Sequence, residues 1–452
     1  MSKQLARSRG GISMTDGSLW KNIFLFSVPL IFSQLLQVMF NMADVAVVGK
    51  FANATALGSV GSTTTLVTLF TGFLIGLGSG VNVRVAQHLG ARQDEDTKNA
   101  VHTSLLICTL AGVIISLLCF FLAGPMLRVL KTKEDLLPGA ELYFRIYALG
   151  IFNFGNAVLS ANGDTTRPLI YLTAAGILNV LLNLFFVIGC KMAAEGVALA
   201  SILSQYVSAV LVLVHMLRMK DACRVQWKQM RFHKEETARL LALGVPAGVQ
   251  NMIFAVANLF IQVGVNSFDS TMVSGNSAAA NTDAIVYNVM AAFYTACSTF
   301  MGQNWGAGNR DRMIRSYYVS LAYAFLSGAL VGLGLLWFGE GFLYLFTNDA
   351  EVVAAGMLRM RIMCFSYALS AFMDCTIAAS RGIGRSLVPT VIVVLGSCVF
   401  RVIWVYTVFA YFHSIPSLYL LYAFSWTITS LAEIIYFAAC WRKMKNKKTA
   451  PI

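Results

Sequence analysis

Residues 22–48 read NIFLFSVPLIFSQLLQVMFNMADVAVV, and Asp44 is the only ionisable side chain among them. A helix of this length extends about 40 Å, and about 20 apolar residues are enough to cross a hydrocarbon core about 30 Å thick. The stretch therefore predicts a membrane-spanning helix. An aspartate near the centre of such a helix costs about 3 kcal/mol on insertion scales, so the presence of Asp44 needs a physical reason.

Apolar blocks of similar length recur along all 452 residues, which are 57% hydrophobic and 12% charged. Soluble chains carry about 25% charged residues. Because helices satisfy their own backbone hydrogen bonds in lipid, we predict an all-α integral membrane protein. Its twelve transmembrane helices are expected near residues 22–48, 56–88, 99–124, 138–161, 167–190, 193–217, 240–266, 273–302, 314–338, 352–380, 386–410 and 415–440.

The basic residues are distributed unevenly between the predicted loops. With a cytosolic N-terminus, 25 Lys and Arg fall on the cytosolic side and 5 on the other. This positive-inside pattern predicts that both termini of the multi-pass protein are cytosolic. The lack of sorting signals favours the plasma membrane as its location. The net charge of +13 then reflects orientation and attraction to the lipid bilayer. No nucleic-acid partner is expected, because the charges form no single face interleaved with aromatic residues.

Four sequence segments of the first half return in the second half in the same order. They are LFSVPL at 25–30 with LGVPAG at 243–248, QHLGARQ at 87–93 with QNWGAGN at 303–309, LYFRIYALG at 142–150 with LRMRIMCFS at 358–366, and GDTTRP at 163–168 with GRSLVP at 384–389. The offset of 216 to 221 residues covers six predicted spans. The two halves therefore share one orientation, as in a parallel repeat of two pseudo-symmetric six-helix bundles.

The repeat predicts two bundles that face each other across a midplane cavity and rock to give alternating access. The whole chain then divides into five regions. No GxxxxGK[ST] motif is present to bind ATP, so an ion gradient is the expected driving force. The regions are a cytosolic N-terminal tail at 1–21, an N-terminal bundle at 22–217, a basic linker at 218–239 with a short surface helix, a C-terminal bundle at 240–440, and a basic cytosolic tail at 441–452.

Asp44 has a functional and a structural interpretation. Burial favours the protonated carboxyl, whereas a neighbouring cation favours the carboxylate. A buried aspartate thus switches between two states, as an ion-coupled transporter requires. The alternative is an aspartate solvated near the outer headgroups, since Lys50 follows six residues later. Pro29, in the same helix, removes a backbone hydrogen bond and favours a kink, which is either static or responsive to Asp44.

Other polar residues inside the spans also allow two interpretations. Asn179 and Asn183 share one helix face at i, i+4 spacing, with Ser201 as a plausible neighbour, and such amides also act as interhelical glue. Asp374 lies well inside the tenth span, where an ion pair with Arg401 is the structural alternative. Glu433 lies about two turns before the basic tail and is expected to snorkel or pair there.

Several segments together resemble the multidrug and toxic compound extrusion (MATE) family over nearly the whole chain. They are Pro29 with Asp44 fifteen positions later, GQNWGAGNRDR at 302–312, NGDTTRP at 162–168 and GVALASILSQ at 196–205. The resemblance implies a twelve-helix antiporter built from two six-helix bundles. Members export organic, often cationic and aromatic, drug-like small molecules in exchange for protons or sodium ions.

The resemblance also implies a cation-coupling site in the first bundle, formed by Asp44, Asn179, Asn183 and Ser201. Some members carry an aspartate where Asn183 stands, so the choice between H+ and Na+ stays open.

The second-bundle aspartate of the family falls on Asp374. The glutamate that some branches carry in span seven falls on Phe254, which makes the first bundle the favoured site. Gln250 and Asn251 offer neutral polar contacts nearby. The resemblance implies no cofactor beyond the coupling ion, and a monomer.

Two other function classes fit the sequence less well. A flippase for lipid-linked glycan precursors, from the same superfamily, would need several Lys and Arg in its cavity to hold pyrophosphate, and only Arg401 lies clearly within a span. An enzyme would need a convergent catalytic set. The chain has no HExxH, no GxSxG and no His–Asp pair within its spans, so no enzymatic activity is expected.

Overall fold

The computed structural model describes residues 11–150 and 155–446, and within them every regular element is helical. Eleven of these helices are long and apolar enough to cross a membrane. The predicted all-α membrane fold is confirmed. The fourth predicted span, 138–161, contains two helices, and residues 151–154 between them lie outside the described part of the chain.

The helices follow one another through short connections, and three π-helical turns interrupt them at Phe185–Gly189, Val394–Val399 and Val405–Phe409. The first half contains α1 (Leu19–Phe51), α2 (Ala54–Ala91), α3 (Asp94–Val129), α4 (Leu137–Ala148), α5 (Gly155–Ala161), α6 (Thr166–Leu184) and α7 (Ala194–Arg218). The second half contains α8 (Lys234–Val265), α9 (Ser270–Gly306), α10 (Arg310–Leu343), α11 (Ala350–Gly382), α12 (Leu387–Val393), α13 (Phe400–Trp404), α14 (Ala410–Phe412) and α15 (Ile415–Asn446).

The chain forms two compact units, and α1 and α8 are each divided between them. The first unit contains residues 11–12, 32–89 and 93–248, and the second contains 13–31, 90–92 and 249 onwards. Helices α1 and α8 therefore belong partly to each unit. In both helices the boundary between the two units lies two residues after a proline, Pro29 in α1 and Pro246 in α8. The division into bundles at 22–217 and 240–440 stays a prediction.

A buried ion pair and close glycine contacts hold the beginning of α8 in the first unit. Glu236 accepts two hydrogen bonds from the Arg84 guanidinium, at 2.8 Å from Nε and 2.7 Å from Nη2. The Nε2 atom of His88 lies 3.2 Å from the same carboxylate. About two and three turns further along α8, Gly244 and Gly248 pack directly on the backbone of α2, where any added Cβ atom would clash.

The segment before α1 is held in the second unit by main-chain contacts. The Arg312 guanidinium donates hydrogen bonds to the carbonyl oxygens of Met14, Asp16 and Gly17, at 2.9, 2.8 and 2.8 Å. Asn304 donates a further bond to the carbonyl of Met14 at 3.2 Å, and Met14 itself is buried. Both donors, Asn304 and Arg312, lie within GQNWGAGNRDR, so one role of this segment is to hold the chain that enters α1.

The internal repeat is visible in the backbone where helices end. Arg92 and Gly308, 216 residues apart, adopt left-handed φ angles of 56° and 69°. Gly163 and Gly384, 221 residues apart, adopt φ angles of 86° and 83°. A left-handed residue closes a helix C-terminus by satisfying its free carbonyl groups. The matching sequence segments therefore encode matching helix ends.

The linker packs against α3 and contains a single 3-10 turn, Trp227–Gln229, in place of the predicted short surface helix. The ring Nε2 of His102 accepts a hydrogen bond from the backbone N–H of Gln226 at 3.0 Å. Cys223 is fully buried, whereas Trp227 is exposed. The linker is thus fixed to the first unit along one side.

Candidate functional site

Asp44 lies in the first-unit part of α1 and contacts the predicted partners from two other helices. Its Oδ1 accepts a hydrogen bond from Nδ2 of Asn183 at 2.5 Å, and its Oδ2 accepts one from the hydroxyl of Ser201 at 3.0 Å. Asn179 completes the cluster, with its Nδ2 3.4 Å from Ser201 Oγ and its Oδ1 3.3 Å from Asn183 Nδ2. The four residues predicted as one site lie together.

The close approach of α6 to α1 explains how this cluster forms. Gly176 shares the helix face of Asn179 and Asn183, and a Cβ atom at this position would lie 1.8 Å from the ring of Phe40. Because glycine leaves that space free, α6 packs closely against α1 and brings both amides towards Asp44. The two asparagines are buried, and Asp44 is partly buried.

The cluster offers oxygen atoms to a small cation or a proton. The carboxylate oxygens of Asp44 lie beside the hydroxyl of Ser201 and the amide of Asn183, and Oδ1 of Asn183 is buried without a hydrogen-bond partner among the described residues. Carboxylate, amide and hydroxyl oxygens are the ligands that hard cations prefer. The same carboxylate accepts a proton without any further ligand. The geometry fits either coupling ion, and the ion-binding role itself stays a prediction.

Gln250, Asn251 and Asp374 are the candidate site residues in the second unit. Gln250 is buried in α8, and its Oε1 accepts hydrogen bonds from Arg381 Nη2 at 2.8 Å and from Thr390 Oγ1 at 3.4 Å. Asn251 is partly buried beside it. Asp374 lies in α11 and makes no ion pair or hydrogen bond with the side chains described in the structure. Gln250 is thus held by Arg381 and Thr390.

Arg401 is surrounded by aromatic rings. Its guanidinium carbon lies 4.5 Å from the centroid of Tyr422 and 5.7 Å from those of Phe254 and Trp426. Its Nε donates to the Ser425 hydroxyl at 3.1 Å. The alternative of an ion pair between Arg401 and Asp374 is wrong for the described structure, because cation–π contacts and a hydroxyl take the place of a carboxylate.

A sequence profile of the family named MatE matches residues 29–185 and 246–407. This chain belongs to the MatE family. The two matched segments contain the paired prolines and cover both halves of the repeat, so the resemblance to the multidrug and toxic compound extrusion family is confirmed. MatE membership makes the chain a multi-pass membrane transporter and not an enzyme.

Individual MatE relatives extend over most of the chain. "Probable multidrug resistance protein YpnP" of Bacillus subtilis is 30% identical over 359 residues, covering 78% of this chain and 80% of the relative. An "FAD transporter" of Shewanella oneidensis is 24% identical, covering 72% and 74%. A solved structure, "Outward-facing conformation of a multidrug resistance MATE family transporter of the MOP superfamily", matches with a TM-score of 0.90 and 20% identity, covering 98% of this chain and 100% of that one. It shows the same fold.

Two acidic residues of this MatE chain, Asp283 and Glu433, lie inside the second unit away from the predicted site. Asp283 accepts hydrogen bonds from Arg359 and from the Tyr367 hydroxyl, forming a partly buried network within the second unit. Glu433 is fully buried and has no hydrogen-bond partner among the described residues. The expectation that Glu433 snorkels or pairs at the basic tail is wrong, because its side chain faces the interior of the unit.

Proposed function

We propose that this MatE transporter is a secondary active antiporter that exports organic drugs or toxic metabolites in exchange for protons or sodium ions. The observation that supports the proposal is the Asp44 carboxylate held by Asn183 and Ser201 inside an apolar helix. An intramembrane carboxylate with fixed polar partners marks an ion pathway by default. The coupling ion is part of the transported cargo, and no cofactor is proposed.

The proposed cycle links the charge of Asp44 to alternating access. Binding of the ion neutralises the carboxylate, and release restores its negative charge and its need for hydrogen-bond donors. The two states therefore favour different arrangements of the helices around Asp44. Tilting of the two six-helix halves then exposes the substrate to one side of the membrane at a time. An ion gradient drives export because ion and substrate use opposite half-cycles.

The proposed substrates are aromatic and often cationic. Relatives named multidrug resistance proteins favour broad substrate recognition, and 12% of the residues are aromatic, which suits stacking and cation–π contacts. The relative named an FAD transporter gives a specific anionic aromatic compound for comparison. Small molecules are therefore the proposed partners, taken up from the lipid bilayer or the cytosol by a monomer.

Transport by the purified wild-type chain in proteoliposomes tests the proposal. A proton gradient and a sodium gradient are imposed separately, with the membrane potential clamped, and the distribution of ethidium is followed by fluorescence. One gradient is expected to concentrate the dye in the compartment with the higher ion concentration, as antiport requires. FAD is assayed in parallel. Dye movement that is unaffected by either gradient, or that follows the ion in the same direction, would contradict antiport.

We propose that the protein lies in the plasma membrane and that both of its termini are cytosolic. Cys190 lies just after the π-helical turn at the end of the fifth span, on the predicted outer side. It is exposed, whereas the other eight cysteines are buried. A membrane-impermeant maleimide added to intact cells is therefore expected to label the wild type and not Cys190→Ser. Labelling only after permeabilisation would reverse the proposed orientation.

A further inference from the structure

Glu433 occupies an unusual position for a carboxylate. It lies in α15, its exposed fraction is 0%, and neither of its carboxylate oxygens has a hydrogen-bond partner among the described residues. The hydroxyl of Ser430, one turn earlier on α15, is buried without a partner as well. Because a bare carboxylate inside a membrane protein loses its hydration without compensation, this site requires a bound ion or proton.

Arg381 of α11 is the charged group that acts most strongly on Glu433, followed by Asp374. Arg381 donates its Nη2 to Gln250 at 2.8 Å, and its Nε is buried without a partner. Glu433 and Arg381 are thus complementary charges that interact without forming an ion pair. Other charged or titratable groups on elements packed against α15 include Arg359 and Cys375 of α11, Cys398 and Arg401, and Arg385 interacts with Tyr436 of α15 itself.

The chemistry of the site favours a proton over a metal cation. A metal ion needs several oxygen ligands at once, and no group of acidic, cysteine or histidine side chains among the described residues has a metal-binding arrangement. The positive charge of Arg381 also repels a cation. A proton needs only one carboxylate oxygen, and the neutral acid that results tolerates burial.

We propose that Glu433 is a second proton-carrying carboxyl of the transport cycle, located in the second unit and paired alternately with a proton and with Arg381. In the protonated state the carboxylic acid is neutral and Arg381 stays bound to Gln250. When the proton leaves for water, the carboxylate attracts the free Nε–H of Arg381 and an ion pair forms. This inference rests on the proposed antiport function and adds a coupling residue outside the Asp44 cluster.

Proton stoichiometry in proteoliposomes tests the inference. The ratio of protons to ethidium is measured from the substrate gradient that balances a fixed pH gradient. Glu433→Gln is expected to lower the ratio by one proton, which at a gradient of one pH unit lowers dye accumulation about tenfold. Glu433→Asp keeps a carboxyl and should keep the wild-type ratio. The matched control is Glu340→Gln, because Glu340 is exposed near the end of α10.

Infrared difference spectroscopy supplies a readout that does not depend on transport. The carbonyl band of a protonated carboxylic acid should appear during a pH titration of the wild type, and one component should be missing in Glu433→Gln and present in Glu433→Asp. An unchanged ratio together with an unchanged infrared band in folded Glu433→Gln would overturn the inference. Failure of the wild type itself to use a proton gradient would instead contradict proton antiport, and the infrared titration would still decide whether Glu433 binds a proton.

Discussion

Asp44→Asn is expected to abolish gradient-driven accumulation of ethidium while the protein remains folded. The amide occupies nearly the same volume as the carboxylate, but it neither binds a proton nor carries a charge. At a gradient of one pH unit, each coupled proton supports about a tenfold substrate gradient. In the variant this ratio should fall to one, the value for passive equilibration. The accumulated dye in proteoliposomes measures the effect, under whichever ion gradient drives the wild type.

Asp269→Asn provides the matched control for this substitution. Asp269 is the exposed N-cap of α9, and its side chain accepts a hydrogen bond from the backbone N–H of Met272 at 2.8 Å. Asparagine caps helices about as well as aspartate, so folding and transport should be unchanged. Gradient-driven accumulation that survives in Asp44→Asn at the wild-type ratio would remove Asp44 from the coupling role, whatever the fate of the control.

The second large effect is expected for the ion pair between Arg84 and Glu236. Glu236→Gln leaves the buried guanidinium of Arg84 without a counter-charge, since the side chains of this pair are 3% and 9% exposed. Loss of one partner of a buried pair costs about 3–5 kcal/mol. The free energy of unfolding, measured by SDS titration in mixed micelles, should fall by this amount. The beginning of α8 should lose protection against hydrogen exchange at the same time.

Two comparisons separate the ion pair from a general sensitivity of this helix. Glu235→Gln breaks the exposed pair with Arg239, whose atoms lie 2.8 Å apart, and should cost at most about 1 kcal/mol. The double variant Arg84→Met with Glu236→Met removes both charges and should recover much of the stability, because neither charge is left unpaired. Equal losses for Glu235→Gln and Glu236→Gln would show that the buried pair has no special role.

The sequence was sufficient to predict the membrane-spanning fold and the members of the Asp44 cluster. A charge-free block of 20 or more residues predicts a membrane-spanning helix from its own composition, so the prediction needs no knowledge of tertiary contacts. The i, i+4 spacing of Asn179 and Asn183 fixes one helix face, and the family resemblance grouped these two residues with Asp44 and Ser201 in one site. The close packing at Gly176 was not predictable, because it depends on which face of α1 meets α6.

Contacts between distant residues account for most of what the sequence did not predict. Arg84 and Glu236 are 152 positions apart, and no local pattern joins them. Glu433 was assigned from its distance to the basic tail, which gives a position along the helix axis but no direction around it. A signal did exist, since Ser425, Thr429 and Glu433 recur every four residues and therefore share one buried face of α15.

The partition of α1 and α8 between the two units has a consequence for how this protein folds. Residues 13–31 of the first half are built into the second unit, and residues 234–248 of the second half are built into the first. Each half thus completes the other by a reciprocal exchange, like the subunits of a domain-swapped dimer. Two fragments separated within the linker would each lack a helical segment, so neither half is an autonomous folding module despite the repeat.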